Sequence, residues 1–351
     1  MRDVAVVGFA QSPQVRRTEG TTNGVEMLIP IFAEVYEKLG ITKSDIGFWC
    51  SGSSDYLAGR AFFFISAIDA IGPVPPINES HVEADGAWAL YEAWCKIQTG
   101  DVDTALIYGF GKSSAGNVAR TMALQLDPYT LAPLLPDSVA VAGLQARRGI
   151  DAGLWSEAEM ADVAVRSRRD AESNPFAQLT GSKDSADLLA EEYLANPLRR
   201  HDVAPITDGA AVIVLAAEDR ARELSANPAW ITGLAHCVDS ANLGARDLTT
   251  SASTAAAARA AGIDGVEVAE LYTPFTHQEL LLRRELGFGD DVRITPSGGA
   301  LAGNPMFATG LVRIGEAAAH VSNGAASKVM AHATSGPALQ QNLVCVMEGR
   351  S

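Results

Sequence analysis

Apolar positions along the chain fall into short runs that alternate with longer, half-polar stretches. Val4-Ala5-Val6-Val7-Gly8-Phe9 reads as a buried strand, because a brief continuous apolar run suits a strand covered on both faces. A helix-like segment closes at Leu39-Gly40-Ile41 and is followed by the strand-like Asp45-Ile46-Gly47-Phe48-Trp49-Cys50. A second helix, Ala89 to Gln98, closes at Gly100 and leads into Thr104-Ala105-Leu106-Ile107-Tyr108-Gly109. Strands alternating with helices predict an α/β chain with a mostly parallel sheet. The longest apolar segment, Ala61 to Ile68, stops at Asp69 and predicts a buried core helix. An interface or pocket-lining helix is the alternative reading of that run.

The same units recur later. An Ala-rich helix ends at Ala261-Gly262-Ile263 before Val266-Glu267-Val268-Ala269-Glu270-Leu271, and helix Leu311 to Val321 ends near Gly324 before Lys328-Val329-Met330-Ala331-His332. The offsets are 222 (41 to 263) and 224 (100 to 324). Each glycine is expected to end its helix in the left-handed conformation. Two helix–glycine–strand units at nearly one offset predict a duplicated chain. The expected division is residues 1–120 with 198–222 as the first half and 228–351 as the second. Residues 121–197 form an insertion rich in helix formers and charges. Asn227-Pro228 is a turn signal before the strand Ala229-Trp230-Ile231-Thr232. Duplicated α/β halves place their sites at the seam, where helix N-termini and strand ends converge.

Composition narrows the class. With 47% hydrophobic residues among 351, the chain can bury enough apolar surface to fold. Acidic residues number 42 against 27 basic ones, which argues against a nucleic-acid surface. Cys50, Cys95, Cys237 and Cys345 are too few and scattered for a disulfide scaffold or a zinc site, and fit a reducing cytoplasm. No stretch approaches the roughly 20 apolar residues of a bilayer span, and the start of the chain does not read as a targeting segment.

Five segments in order carry a resemblance. Asn78 with Asp85-Gly86-Ala87-Trp88-Ala89 precedes Gly100-Asp101-Val102-Asp103 and Ile107-Tyr108-Gly109-Phe110-Gly111-Lys112-Ser113. Then come Ser167 to Ala177 with its Asn174-Pro175-Phe176-Ala177, and Pro197-Leu198 through Pro205-Ile206-Thr207-Asp208-Gly209-Ala210-Ala211. Last are Ser297-Gly298-Gly299-Ala300-Leu301-Ala302-Gly303-Asn304-Pro305 and Ala308-Thr309-Gly310. Over nearly the whole chain this resembles the thiolase superfamily, and within it the sterol-carrier-protein-X type and the lipid-transfer-protein aldolases. The fold so implied is a thiolase-like duplicated αβαβα arrangement of five layers.

In that family a cysteine at a buried helix N-terminus has its thiolate favoured by unpaired N–H groups and attacks a thioester. The resemblance puts Glu83 at this nucleophile position, Asn304 at the position of the activating histidine, Thr334 at the second cysteine and Tyr272 at the oxyanion-hole position. None of the four cysteines falls on either catalytic position. In the steroid side-chain aldolases of the superfamily tyrosines replace the thiolase residues, and Tyr272 matches one of them. Gly303-Asn304-Pro305 stands where a second tyrosine is expected.

The candidate catalytic residues are therefore Tyr272, Asn304, Glu83, His332 and His277, with Asp85, Thr334, Gly298 and Gly299 as substrate-binding candidates. Each has a plainer reading. Tyr272 could rim the core, Asn304 could form an Asn-Pro turn, and Glu83, His81 and Asp85 could simply cap a helix. His277 is expected to face a pocket or an interface, and His332 to point at the seam. Gly298 and Gly299 could admit ligand or only tight packing. His201, His236 and His320 read as structural or solvated. The activity implied is retro-aldol cleavage of a bulky, steroid side-chain acyl-CoA, needing a base for the hydroxyl proton and donors for the enolate. The alternatives are a non-catalytic subunit of a heteromeric thiolase or aldolase, and an acyl-CoA- or lipid-binding protein without turnover. The acyl-CoA is the substrate, and no cofactor or metal is expected. The resemblance also implies a homodimer or a heteromer with another thiolase-like chain, helped by apolar residues between Trp49 and Ile71, and a separate OB-fold/zinc-ribbon partner.

Overall fold

The computed structural model describes residues 1–19, 24–58, 62–72, 78–181 and 183–350. The first half of the chain gives strand β1 (Val4–Gln11), helix α1 (Gly24–Leu39), β2 (Phe48–Gly52), α2 (Ile65–Ile71), β3 (Glu79–Val82), α3 (Gly86–Gln98) and β4 (Thr104–Gly111). A helical segment with α4 (Ser138–Asp151) and α5 (Glu157–Asp170) intervenes before β5 (Gly209–Ala217). The second half then runs β6 (Ala229–Val238), α6 (Ala252–Ala261), β7 (Val268–Leu271), α7 (Thr276–Leu286), β8 (Arg293–Ile294), α8 (Thr309–Ser322), β9 (Lys328–Ser335) and β10 (Gln341–Glu348).

These ten strands form one sheet in the order β8-β7-β9-β10-β6-β1-β5-β4-β2-β3. Outward from its middle, each half has the same winding, 1-5-4-2-3 on one side and 6-10-9-7-8 on the other. The two meet through an antiparallel joint of two residue pairs, Ala5 with Trp230 and Val6 with Ala229. Gly40, Gly100, Gly262 and Gly324 lie just past the four corresponding helices with φ of 63, 81, 77 and 70°. A side chain at such a φ is strained, so glycine is the residue that stops each helix and turns it toward the next strand.

Side-chain alternation sets the layers. On β4, Ala105 and Ile107 face α3 and α8, whereas Leu106 and Tyr108 face the α1 side. On β9, Val329, Ala331 and Ala333 face α8, and Met330 faces the core under α6 and α7. Helices α3 and α8 thus lie between the two halves of the sheet, α1 and α2 cover one outer face, and α6 and α7 cover the other. This is the five-layered α/β arrangement expected from the resemblance. Helices α4 and α5, with Trp155 in the turn between them, bring Ala142, Ala146 and Met160 to the outer core of the second half. Arg166 ties α5 down with two bonds to the Glu279 carboxylate, at 2.5 Å each.

The sheet is mixed rather than mostly parallel, because β1–β5, β1–β6, β4–β5, β6–β10 and β9–β10 pair antiparallel and the other four pairings are parallel. Two further expectations fail locally. Strand β2 starts at Phe48 rather than Asp45, because Asp45 accepts from Thr42 N–H at 2.8 Å and closes a short helical turn over Lys43–Asp45. The apolar run at 61–68 is not a buried core helix. Ala61 lies outside the described residues, Phe62 and Ile65 are 67% and 55% exposed, and α2 buries Ala67 and Ile71 alone among its large or small apolar side chains of full burial. Phe62 has φ of 57° in a turn, which delays the helix to Ile65.

Candidate functional site

The N-termini of α3 and α8 converge on one carboxylate. Asp85 caps α3 by accepting from Ala87 N–H at 2.9 Å, and its other oxygen accepts from Gly310 N–H of α8 at 3.1 Å. The N–H of Gly86 donates to Phe307 O at 2.8 Å, so protein atoms fill the start of α3. The approach depends on missing side chains: a Cβ on Gly310 would collide with Asp85 Oδ1, and one on Gly86 would meet Leu311 Cδ1 at 2.5 Å. Burial pushes the Asp85 carboxyl up to about 6, against the opposing pull of the two N–H groups.

Tyr272 follows β7 directly, and its N–H donates to His332 O at 3.2 Å. Its phenol donates to Asn304 Oδ1 at 2.9 Å, and the Thr309 hydroxyl lies 2.8 Å from the same oxygen and 3.0 Å from Pro305 O. With Oδ1 committed, Asn304 keeps its Nδ2 hydrogens free of any acceptor among the described residues. Asn304 and Pro305 pair in parallel with Ile206 and Thr207, which fixes the backbone on that side. Burial raises the Tyr272 pKa, and the charge of Asp85 adds to it, so the phenol stays neutral and acts as a donor.

A buried ion pair backs this cluster. Arg313 Nη1 lies 2.6 Å from Glu270 Oε2, and Glu270 also accepts from Ser297 Oγ at 2.7 Å and Ser297 N–H at 3.1 Å. Glu270 immediately precedes Leu271-Tyr272, and Arg313 sits on α8 one turn past Thr309. The pair therefore holds the Tyr272 strand end against the helix that carries Thr309.

No family model matches the chain. An acetyl-CoA acetyltransferase of Methanothermobacter thermautotrophicus is 25% identical over 346 residues, covering 90% of this chain and 90% of that protein. The benzoylsuccinyl-CoA thiolase subunit BbsB of Thauera aromatica is 24% identical over 307 residues, 78% of this chain and 77% of its own. Sterol carrier protein 2 of Gallus gallus is 22% identical over 361 residues, and the match spans 90% of this chain but 65% of that longer protein. Over most of its length the chain is thus similar to proteins of the thiolase superfamily.

In this thiolase-like chain the seam gathers Asp85, Tyr272 and Asn304 from the expected set. Thr309 and the Glu270–Arg313 pair join them, and the sequence reading had missed all three. Thr309 was legible only as part of the Ala308-Thr309-Gly310 motif. Glu270 and Arg313 lay in apolar elements, and a charge inside such a run was the available signal.

Other candidates sit elsewhere. Glu83 is not at the helix N-terminus: the chain turns after β3, α3 starts beyond Asp85, and the Glu83 side chain is 47% exposed. Its carboxylate accepts from Asp55 N–H at 2.8 Å and stands 3.5 Å from His81 Nε2. His81 Nδ1 is 3.0 Å from Ser51 Oγ, and its ring stacks on Phe64. His277 faces neither a pocket nor an interface but the buried contact of α7 with α4. There its Nε2 bonds Gln145 Oε1 at 3.1 Å, beside Trp155 and Phe275, and burial pushes its pKa down to about 3.

His332 shares the parity of Met330, so its ring points to the outer face, not to the seam. Its Nε2 meets Asn342 Oδ1 at 3.0 Å, and burial takes its pKa to about 4. It serves Tyr272 through its backbone carbonyl only. Thr334 donates to Gln341 O at 3.0 Å within the β9–β10 pair. Gly298 and Gly299 have φ of 89 and 64°, and the atoms that crowd them are protein. A Cβ on Gly298 would meet Ala171 Cβ at 2.5 Å, and one on Gly299 would collide with Thr295 Cγ2, so packing accounts for both glycines. Cys50 and Cys345 are buried, and Cys95 and Cys237 partly so. Among the described residues no group of three His, Cys, Asp or Glu could hold a metal ion, and no helix is long and apolar enough to cross a membrane.

Proposed function

We propose that this protein binds an acyl-CoA at the α3–α8 seam and cleaves a carbon–carbon bond in it by a retro-aldol reaction. The observation that carries the reading is the Tyr272–Asn304–Thr309 cluster set beside Asp85 at the start of α3. Asp85 takes the proton of a β-hydroxyl, and the O–H electrons become the new carbonyl. The Cα–Cβ bond breaks, and its electron pair moves onto the thioester as an enolate. Asn304 Nδ2 donates to the enolate oxygen, the neutral Tyr272 phenol holds the amide in place, and the proton taken by Asp85 is returned to Cα through water, which restores the carboxylate. Thioester exchange on a protein nucleophile is not part of this scheme, since a carboxylate such as Asp85 or Glu83 does not sustain it as a thiolate does.

The substrate we favour is a bulky β-hydroxyacyl-CoA of the steroid side-chain type, in lipid or sterol breakdown. The similarity to sterol carrier protein 2 supports that choice. We further propose a dimer, or a heteromer with another thiolase-like chain, through the first half. Exposed Phe62 and Ile65 beside the sheet-edge strand β3 support it. A zinc-ribbon partner belongs to the same proposal, as does a reducing cytoplasm, which four free cysteines suit.

A second reading has its own support. The first N–H groups of α3 are already taken by Phe307 O and Asp85, which suits a subunit that completes a partner's site without turning over substrate. Incubation with a β-hydroxyacyl-CoA carrying a branched steroid side chain separates the two. Release of a shorter acyl-CoA by the chain alone supports the lyase, and release only by a co-expressed partner, untouched by Tyr272→Phe here, supports the subunit.

A further inference from the structure

Helix α8 is buried along most of its length, yet one polar stripe runs down it. Thr309, Arg313 and Glu316 follow one another at spacings of four and three residues, so they share a face. Thr309 reaches Asn304 Oδ1 and Arg313 reaches Ser297 Oγ, near the two ends of the segment 297–305. Glu316 reaches the same segment by a longer route.

Gln11 Nε2 donates to Glu316 Oε1 at 2.6 Å, and Gln14 Nε2 donates to Gln11 Oε1 at 3.3 Å. Gln14 lies directly against Gly303, where a Cβ would collide with Gln14 Oε1 and stand 3.0 Å from its Cδ. Gly303 has φ of 178°, an extended conformation open to any residue, so this contact is what requires glycine. Gln11 and Gln14 are 3% and 4% exposed, so neither amide can exchange its partner for bulk water.

Glu316 sets the direction of these bonds. Its Oε1 accepts, so Gln11 must turn its NH2 group to Glu316 and its carbonyl to Gln14. Gln14 then gives its NH2 group to Gln11 and turns its carbonyl oxygen to Gly303, one peptide bond from Asn304. The Gln14 backbone is pinned as well, its N–H donating to Phe176 O at 2.9 Å. Burial and the charge of Glu270 raise the Glu316 pKa, against the pull of Arg313 and the Gln11 bond. An acid in such a place costs stability, so a use for it is expected.

We propose that Glu316 is a positioning residue that acts through Gln11 and Gln14 to hold Gly303, and so aims Asn304 Nδ2 at the thioester oxygen of an acyl-CoA. The proposal rests on the acyl-CoA reading above, and the following test tells the failure of one from the failure of the other.

Binding of octanoyl-CoA and of free CoA, which lacks the thioester, is measured for the native chain, Glu316→Leu, Glu316→Gln and Asn304→Ala. The double variant, Glu316→Leu with Asn304→Ala, completes the set. Leucine removes the acceptor, whereas glutamine keeps a carbonyl oxygen for Gln11. Glu316→Leu should bind octanoyl-CoA about fivefold more weakly, within the range of one neutral hydrogen bond. Its affinity for free CoA should be unchanged, and Glu316→Gln should restore octanoyl-CoA binding. In the Asn304→Ala background Glu316→Leu should have no further effect, because the group it aims is gone. A loss that persists in that background overturns the proposal and leaves the acyl-CoA reading intact, as does native octanoyl-CoA affinity in Glu316→Leu. Parallel losses for both ligands overturn it too, since they mark a structural role. If Asn304→Ala binds octanoyl-CoA as the native chain does, Asn304 is no donor and the proposal falls. A native chain that binds neither ligand sinks the acyl-CoA reading and this inference with it.

Discussion

Asp85 and Gly310 stand 225 residues apart and are joined by one hydrogen bond of 3.1 Å from the Gly310 N–H to the Asp85 carboxylate. Because Asp85 also caps its own helix, this contact clamps the two central helices of the molecule together. Asparagine retains an oxygen for the cap and alanine does not. Asp85→Ala should therefore lose about 1–2 kcal/mol in urea unfolding. Asp85→Asn should lose less, while losing any activity that uses Asp85 as a base.

The same carboxyl should govern pH behaviour. Burial raises it to about 6, above the ordinary value of about 4. The folded state thus holds this proton more tightly than the unfolded chain does. Its contribution to stability is present at pH 4 and below and is lost as pH rises through about 6. Activity should run the opposite way, with kcat rising through pH 6 as the base form accumulates. Asp85→Asn should flatten both the stability slope and what remains of the rate profile over that window.

Histidines 277 and 332 give a slope of the opposite sign. Burial lowers them to about 3 and about 4, so both stay neutral in the fold. Above about pH 6.5 they add no slope, and as pH falls below it the unfolded chain takes protons that the folded one refuses. Unfolding followed from pH 7 to pH 4.5 should show a shallower acid loss in His332→Gln than in the native chain. Since the His332 ring points away from the seam, kcat at pH 7.5 should change less than tenfold in that variant.

The Arg313–Glu270 pair tests how the Tyr272 strand end is held. Both side chains are essentially inaccessible, at 1% and 0% exposure. Arg313→Met leaves a buried carboxylate without its cation and should cost roughly 3–5 kcal/mol in denaturant unfolding. Replacing both, as Arg313→Met with Glu270→Leu, should recover most of that loss, because an apolar pair avoids the desolvation cost. Equal destabilisation of the single and double variants would mean that the pair is not a unit.

Much of the fold is legible in the sequence because glycine has few substitutes at a left-handed helix end. Gly40, Gly100, Gly262 and Gly324 mark the two copies, and their spacing alone announces the duplication. Tyr272 and Asn304 are also legible, since each belongs to a motif whose partners stay close in the chain. The rest depends on distances that no local pattern carries. His332 ends a strand, but only its parity with Met330 decides which face it sees. Glu83 lies two residues outside the cap, and this small displacement moves its carboxylate from a helix dipole to solvent. Asp208 and Thr207 look alike as polar residues before an apolar strand. One is bonded to four donors from two distant loops and the other, among the described residues, to none.

The central claim is that Tyr272 and its neighbours carry the chemistry of the seam. The most direct measurement is kcat for cleavage of a branched β-hydroxyacyl-CoA by the native chain and by Tyr272→Phe, each with its Tm. Phenylalanine fills the same volume and removes one hydroxyl, so about 1 kcal/mol of stability should be lost. The account predicts a fall in kcat of a hundredfold or more, with KM little changed. Cleavage at the native rate in Tyr272→Phe and in Asn304→Ala would contradict it.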